Sequence, residues 1–361
     1  MKTNDIANIR LVNQQIAKTK FKTPKELVSW MGAMQAQDFI MAKWAIGTRL
    51  PGSKETLIEE AVNKGEILRT HVLRPTWHFV SSEDIRWMLE LTAPHIKSGI
   101  RSRHKQLELT EAAIKKSNRM IEKALSGGKH LTREEIMSEF KKAKVDVSEN
   151  RSSHFLMMAE LDGLICSGKI KNRKQSYALL EDRVPKTKSL KKEEALAYLA
   201  ERYFISHGPA TLNDFVWWSG LPVSDARKAI EMVKASFVSE MINDREYWFT
   251  DSNNLSEKFS ESIHLLPAYD EFLISYRDRD ASLSLVDNKK AVSNNGIFRP
   301  VILINGQVKG IWKRTTKNSK VIVEINFFKP QKKVAQQKVK KAAMKISLFL
   351  NKKVEVIFNP V

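Results

Sequence analysis

The chain holds one cysteine, Cys166, in 361 residues. A lone thiol forms no internal disulfide and anchors no thiolate zinc site. No apolar run approaches the roughly 20 residues needed to cross a bilayer. The first residues, Met1-Lys2-Thr3-Asn4-Asp5, lack the apolar core of a secretory signal. No glycine loop matches a phosphate cradle, and His71 and His78 have no carboxylate at a metal-ligand spacing. These absences leave no metal, no small-molecule cofactor and no membrane among the expectations. They point to a cytoplasmic, nucleoid-associated protein.

Acidic residues are the other shortage, 41 against 61 Lys plus Arg, for a net charge of +20. A field of that sign attracts polyanions, nucleic acid foremost. A solubility surplus and anionic lipid are the blander readings. Hydrophobic residues at 42% and charged residues at 28% describe a folded globular chain.

Thr23-Pro24-Lys25-Glu26 reads as a helix start, with threonine accepting from the third amide and glutamate reaching back. Helical spacing of Ile6, Ile9, Val12 and Ile16 precedes it. Helical stretches at Phe39 to Ile46 and about Glu55 to Val62 follow, then β-rich stretches Ile67 to Val72 and Thr76 to Val80. The order returns around Thr132-Arg133-Glu134-Glu135 and again around Thr211-Leu212-Asn213-Asp214, each between helices and before a hairpin. Recurrence of helix, capped helix, helix and hairpin predicts three tandem winged-helix units. They are drawn at 1–92, 93–185 and 190–255, with a charged linker near 183–192.

Residues 260–361 differ. Asn305-Gly306 between apolar runs predicts a hairpin. Lys320 to Phe328 reads as a third strand. A helix after Pro330 carries Val334, Val339, Ala342, Ala343, Ile346 and Phe349 on one face, and Lys353 to Phe358 closes the chain. The fold class expected is α+β, the last module β-rich and barrel-like and packed on the third unit.

Gly32-Ala33-Met34-Gln35-Ala36-Gln37-Asp38 lies where the second helix gives way to the third. On residue types alone, such amides cap helix ends and satisfy loose backbone groups. The stretch nevertheless resembles the Gln-x-Gln signature of bacterial winged-helix DNA glycosylases of the AlkZ type. Arg69 to Val80, Gly208 to Pro222, Leu265 to Asp270, Tyr276 to Arg279 and Gly310 to Trp312 are similar to further segments of that family. A proline often follows the aspartate in the family, and Phe39 stands there in this chain. The resemblance implies removal of alkylated bases and unhooking of interstrand crosslinks, with Gln35 and Gln37 as the catalytic amides.

An amide is no general base. An N7-alkylated purine, however, is already cationic and leaves as a neutral base, so a positioned water is all that remains to be supplied. A monofunctional enzyme is expected, since no lysine is marked as a Schiff-base nucleophile. Asp38 is read as the cap of the helix beginning at Phe39.

Candidate DNA contacts are Arg69, His71, Arg74 and His78 on the first hairpin, Arg101, Arg103 and Lys105 after it, and Lys169, Lys171, Arg173 and Lys174 on the second. Any one of them is also at home on a solvated surface or a sheet edge. Trp30, Trp44, Trp217 and Trp218 sit in apolar stripes and read as core. The partner expected is double-stranded DNA, alkylated or crosslinked, bound by a monomer. The alternative is a non-catalytic DNA-binding protein or transcription regulator.

Overall fold

Thr23, Thr132 and Thr211 each close a capping box: Thr23 Oγ1 accepts from Glu26 N–H at 3.2 Å, Thr132 Oγ1 from Glu135 N–H at 3.3 Å, and Thr211 Oγ1 from Asp214 N–H at 3.1 Å. The acidic residue returns the bond in all three. The capped helix is the first of a helical trio in the first unit and the second of one in the other two. In the computed structural model, which describes residues 2–185, 189–251 and 262–360, the trios are Pro24–Met31, Phe39–Arg49 and Glu55–Lys64; Glu111–Leu125, Arg133–Lys142 and Arg151–Leu161; and Lys192–His207, Leu212–Ser219 and Val223–Val233. A hairpin follows each one: Ile67–His71 with Trp77–Ser81, Ile165–Ser167 with Ser176–Leu179, and Val238–Ile242 with Arg245–Phe249. Part of the expected linker (186–188) and the boundary near 255–260 lie outside the described residues.

Two elements differ from expectation. Gly32, at φ 74°, ends its helix and sends Ala33–Gln35 out as a strand beside Trp77–Ser81, in register Ala33↔Val80 and Gln35↔His78. A helix Ile85–Gly99 then runs straight through residues 92 and 93.

The C-terminal module is a curled five-stranded sheet ordered Lys353–Phe358, Lys320–Phe327, Gln307–Thr316, Val301–Ile304, Ile263–Leu266. Only the first pair is parallel, with helix Lys333–Leu350 between its strands. Asn305 and Gly306 turn the hairpin at φ 51° and 73°, the left-handed values the dipeptide tolerates. The helix buries Val339, Ala342, Ala343, Ile346 and Phe349, whereas Val334 is exposed.

That helix seats on the first unit, not chiefly on the third. Phe349 meets the Trp44 ring at 5.1 Å, and Gly47 leaves room for it, since a Cβ there would come within 2.4 Å of the Phe349 ring. Trp44 Nε1–H donates to Leu265 O, tying the helix Phe39–Arg49 to the sheet, and Trp312 Nε1–H donates to Leu266 O within it. One apolar core therefore spans the first unit and the C-terminal sheet. A second joins Leu68, Val72 and Met88 to Tyr203, Phe215 and Trp218 of the third trio. Fully buried Arg49 grips Asp270 with two 2.8 Å bonds, fixing the start of the short helix Glu271–Ile274 beneath the Gln-x-Gln segment.

Candidate nucleic-acid cleft and glutamine motif

The strand Ala33–Gln35 decides where the two glutamines go. Successive strand residues alternate faces, and Gln35, paired with His78, turns inward to 5% exposure. Its backbone N–H donates to Glu271 Oε1 at 2.5 Å, and its side-chain Oε1 accepts from Ala36 N–H at 3.1 Å. Ala36 N–H also reaches Trp77 O at 2.7 Å, and Ala36 O accepts from Arg69 Nε at 2.9 Å. The residue between the glutamines is thus pinned on both sides. Gln37 and Asp38 emerge into solvent. Asp38 Oδ1 accepts from Ile40 and Met41 N–H at 3.1 and 3.0 Å, so it caps the helix Phe39–Arg49. Phe39 occupies the first helical position, where proline would serve equally, and packs on Phe79 at 5.9 Å.

Gln37 opens on a cleft of about 670 Å³ whose walls include Asp38, Ile40, Arg133, Arg173, Lys174, Gln175 and Tyr269. The motif of the first unit and the basic hairpin loop of the second therefore share one surface. Arg173 is exposed; Lys174 pairs with Glu134 at 3.2 Å on the cleft wall, and Lys171, on the same loop but not lining the cleft, pairs with Glu135 at 2.8 Å. Lys169 is exposed on the same loop, which is held by His130 Nδ1 accepting from its backbone N–H at 2.9 Å. Arg101, Arg103 and Lys105 are exposed on the short helix Arg101–Gln106 and do not line the cleft.

The first hairpin's charged residues are placed quite differently. Arg69 lies with its guanidinium 4.2 Å over Trp77 and bonds Gln175 Oε1 at 2.5 Å. Burial, opposed by Glu160, brings its pKa down to about 10, so it stays charged. His71 is buried against the Glu160 carboxylate. His78 is fully buried, Nδ1 donating to Thr76 O at 3.0 Å; burial, aided by Arg74, pushes it down to about 3, so it is neutral. Arg74 is half-buried in the turn.

Glu271, Glu160, Gln175 and Tyr269 carry this arrangement and were not singled out from the chain. Burial opposes the charge of Glu271, but His207 and a hydrogen bond from Ser275 outweigh it and keep the carboxyl below its ordinary range. Burial lowers the pKa of His207 below its ordinary value, with Glu271 opposing. Only Tyr269 had a signal, through the Leu265-to-Asp270 resemblance. No pattern in the sequence marks a buried carboxylate that acts from 236 residues away.

Among the described residues, no group of three or more His, Cys, Asp or Glu could hold a metal ion, and no helix is long and apolar enough to cross a membrane. The family profile described as DNA glycosylase AlkZ-like matches residues 28–349. The structure is similar to that of Streptomyces sahachiroi DNA glycosylase AlkZ, with a TM-score of 0.81 over 99% of this chain and all of that one, at 17% identity. No curated protein matches the chain.

Proposed function

The chain belongs to the AlkZ-like DNA glycosylase family, and on that premise we propose that it hydrolyses the N-glycosidic bond of cationic N-alkylated purines of the N7-alkylguanine type, unhooking interstrand crosslinks as well. Gln37 is the amide that meets the nucleotide. Its carbonyl accepts from a water that attacks C1′. The C1′–N9 bond breaks, its electron pair neutralises the departing cationic base, and the water's surplus proton passes to solvent. No side-chain base is required, because the leaving group needs no protonation. Phosphates flanking the sugar offset the charge that builds on it.

Gln35 acts from beneath, as the residue whose packed side chain sets the path of Ala36 and Gln37. The three helical trios, each with its hairpin, grip double-stranded DNA as winged helices. The wing carrying Lys169, Lys171, Arg173 and Lys174 contacts phosphates beside the lesion. An open cleft suits a crosslinked pair better than a deep pocket that demands full extrusion of the base. The protein acts as a monomer on nucleoid DNA.

The observation that carries this reading is the exposure of Gln37 on a cleft shared with Arg173 and Lys174. Asp38, whose carboxylate is engaged in capping, is left out of the reaction. The test incubates pure protein with duplexes bearing a single N7-methylguanine or a nitrogen-mustard crosslink. Abasic sites are expected with wild type. Gln37→Ala is expected to lose about a hundredfold in rate while keeping DNA affinity. Failure of wild type to release any base from either duplex leaves a non-catalytic DNA-binding protein as the reading.

A further inference from the structure

Two arginines near the cleft lack the counter-charges that their burial calls for. Arg74 sits in the turn of the first hairpin, where Leu73 takes φ 63° and the N–H groups of Arg74 and Thr76 each bond a carbonyl two residues back at 2.7 Å. Gly220 lies against this turn, since a Cβ there would stand 2.2 Å from Leu73 O and 3.3 Å from Arg74 Cγ. Arg74 Nε and Nη2 form the edge of a guanidinium that grips an oxyanion side-on, and both are buried without an acceptor. Arg279 donates from Nε to Leu273 O at 2.9 Å and from Nη1 to Arg277 O at 3.3 Å, and its Nη2 has no hydrogen bond among the described residues.

Both guanidinium groups stand over one ring. Arg74 is 5.7 Å and Arg279 5.5 Å from the centroid of Trp217, whose indole N–H is fixed to Ile274 O at 2.7 Å and whose side is 37% exposed. Among the described residues neither arginine forms an ion pair. The nearby carboxylates are committed elsewhere. Asp214 accepts from the backbone of Thr211, Arg277 and Asp278; Glu271 accepts from Gln35 N–H and Ser275; Asp278 pairs with Arg245. Burial, opposed by Asp214 and reinforced by Arg74, brings Arg279 down to about 10, still protonated at neutral pH. Two desolvated cations that neighbour the same ring are a standing cost unless an anion joins them.

We propose that Arg74 and Arg279 hold one phosphate oxyanion beside Trp217, the source being a backbone phosphodiester of the bound DNA. Arg279 also lies 4.8 Å from the Phe298 ring, which is 6.2 Å from Tyr269 on the wall of the Gln37 cleft. The held phosphate therefore lies beyond the Tyr269 wall of the cleft, along the strand from the attacked sugar. The assignment rests on DNA being the substrate.

The test measures affinity of the full chain for duplexes bearing a stable abasic-site analogue, with one phosphate at a time replaced by an uncharged methylphosphonate. One position is expected to cost wild type about tenfold. Arg279→Gln is expected to cost the same tenfold on unmodified duplex and nothing more at that position. Arg74→Lys, which keeps the charge but not the bidentate edge, loses part of it. In a second arm, inorganic phosphate that raises the melting temperature of wild type but not of Arg279→Gln, without coupling on DNA, assigns the site to free phosphate instead. Variants that fold and melt normally yet leave both DNA affinity and phosphate stabilisation unchanged overturn the proposal, as do losses that simply add at every position. Base release is not read. Coupling in a protein that excises nothing sinks the glycosylase reading and keeps this site; excision without coupling does the reverse.

Discussion

The first and second hairpins occupy the same place in their units and have opposite fates. Ile67–His71 is buried at every residue, charged ones included, while the loop between Ile165–Ser167 and Ser176–Leu179 carries Lys169, Arg173 and Lys174 into solvent. The neighbours make the difference. The first hairpin has the Ala33–Gln35 strand on one edge and Glu160 of the second unit's last helix against its outward histidine, so its strands are enclosed by the protein, while Arg74 in its turn keeps Nε and Nη2 without an acceptor. The second hairpin has the two-residue strand Leu131–Thr132 at its edge, and its long loop, though anchored by His130 and Asn63, keeps Lys169, Arg173 and Lys174 exposed. The hairpin loop left over from packing has its cations in solvent, where phosphates could reach them; the hairpin enclosed by packing positions the glutamine motif.

The sharpest way to break this comparison is Arg69→Ala. The variant removes the donor to Ala36 O, the bond to Gln175 and the stack on Trp77. A loss of about 3 kcal/mol is expected in urea titrations, together with excision, because Ala36 lies between the two glutamines. A variant that keeps its urea midpoint and loses only DNA affinity would give this hairpin the binding role proposed for the second.

That outcome bears on what a reader of the chain could know. The three threonine boxes, the Asn305-Gly306 turn, the terminal helix and strand, and the Asp38 cap are local devices, written within four residues or in one helical stripe, and they are legible. Arg69, His71, Arg74 and His78 looked like a row of contacts because they alternate with apolar residues. Alternation marks a half-buried strand, yet here both faces are covered, by elements distant in sequence. The Ala33–Gln35 strand is hidden for the same reason: three residues make no period, and their partners lie 43 to 47 positions on, in register Gln35↔His78 and Ala33↔Val80. The docking of Phe349 on Gly47 and Trp44 depends on the shape of two surfaces, which no window of sequence contains.

The sealed state of the first hairpin has its own signature in pH. His78 ordinarily titrates near 6.5 and in the fold is pushed to about 3. Between those values the unfolded chain holds a proton that the native state refuses. Its contribution to stability is therefore complete above 6.5 and lost as pH falls, at about 1.4 kcal/mol per pH unit. His264, brought down to about 4 by burial, adds in the same direction. His78→Gln is expected to be less stable at neutral pH but to show a pH slope shallower by about 1.4 kcal/mol per unit between pH 6.5 and about 5. Equal slopes would mean that water reaches the ring.

The exposed wing should behave in the contrary manner. Replacing Arg173 and Lys174 together by alanine is expected to leave the urea midpoint within about 0.5 kcal/mol, since the only pair lost, Lys174 with Glu134, is solvent-screened. DNA affinity should fall about tenfold, and the slope of log affinity against log salt should lessen by about 2. A fall that is the same at all salt concentrations would take these residues off the backbone.

The smallest expected effect tests how deep the openness of the second hairpin runs. Cys166 lies in its first strand at 0% exposure, and burial foremost, with Glu160 adding and Arg183 opposing, pushes the thiol up to about 12. A thiol so protonated and so covered offers no thiolate to a disulfide reagent. The native protein should show no modification at mildly alkaline pH on the timescale in which a small thiol reacts, and one equivalent in denaturant. Since Cys166 N–H and C=O pair with Ala178 in the ladder, labelling requires that the strands part. Slow labelling at the rate of global unfolding would confine the wing's freedom to the loop from Lys169 to Lys174. Rapid labelling, with an unchanged urea midpoint, would mean that the hairpin lifts as a body, and the contrast with the first hairpin would then be one of local stability rather than of exposure.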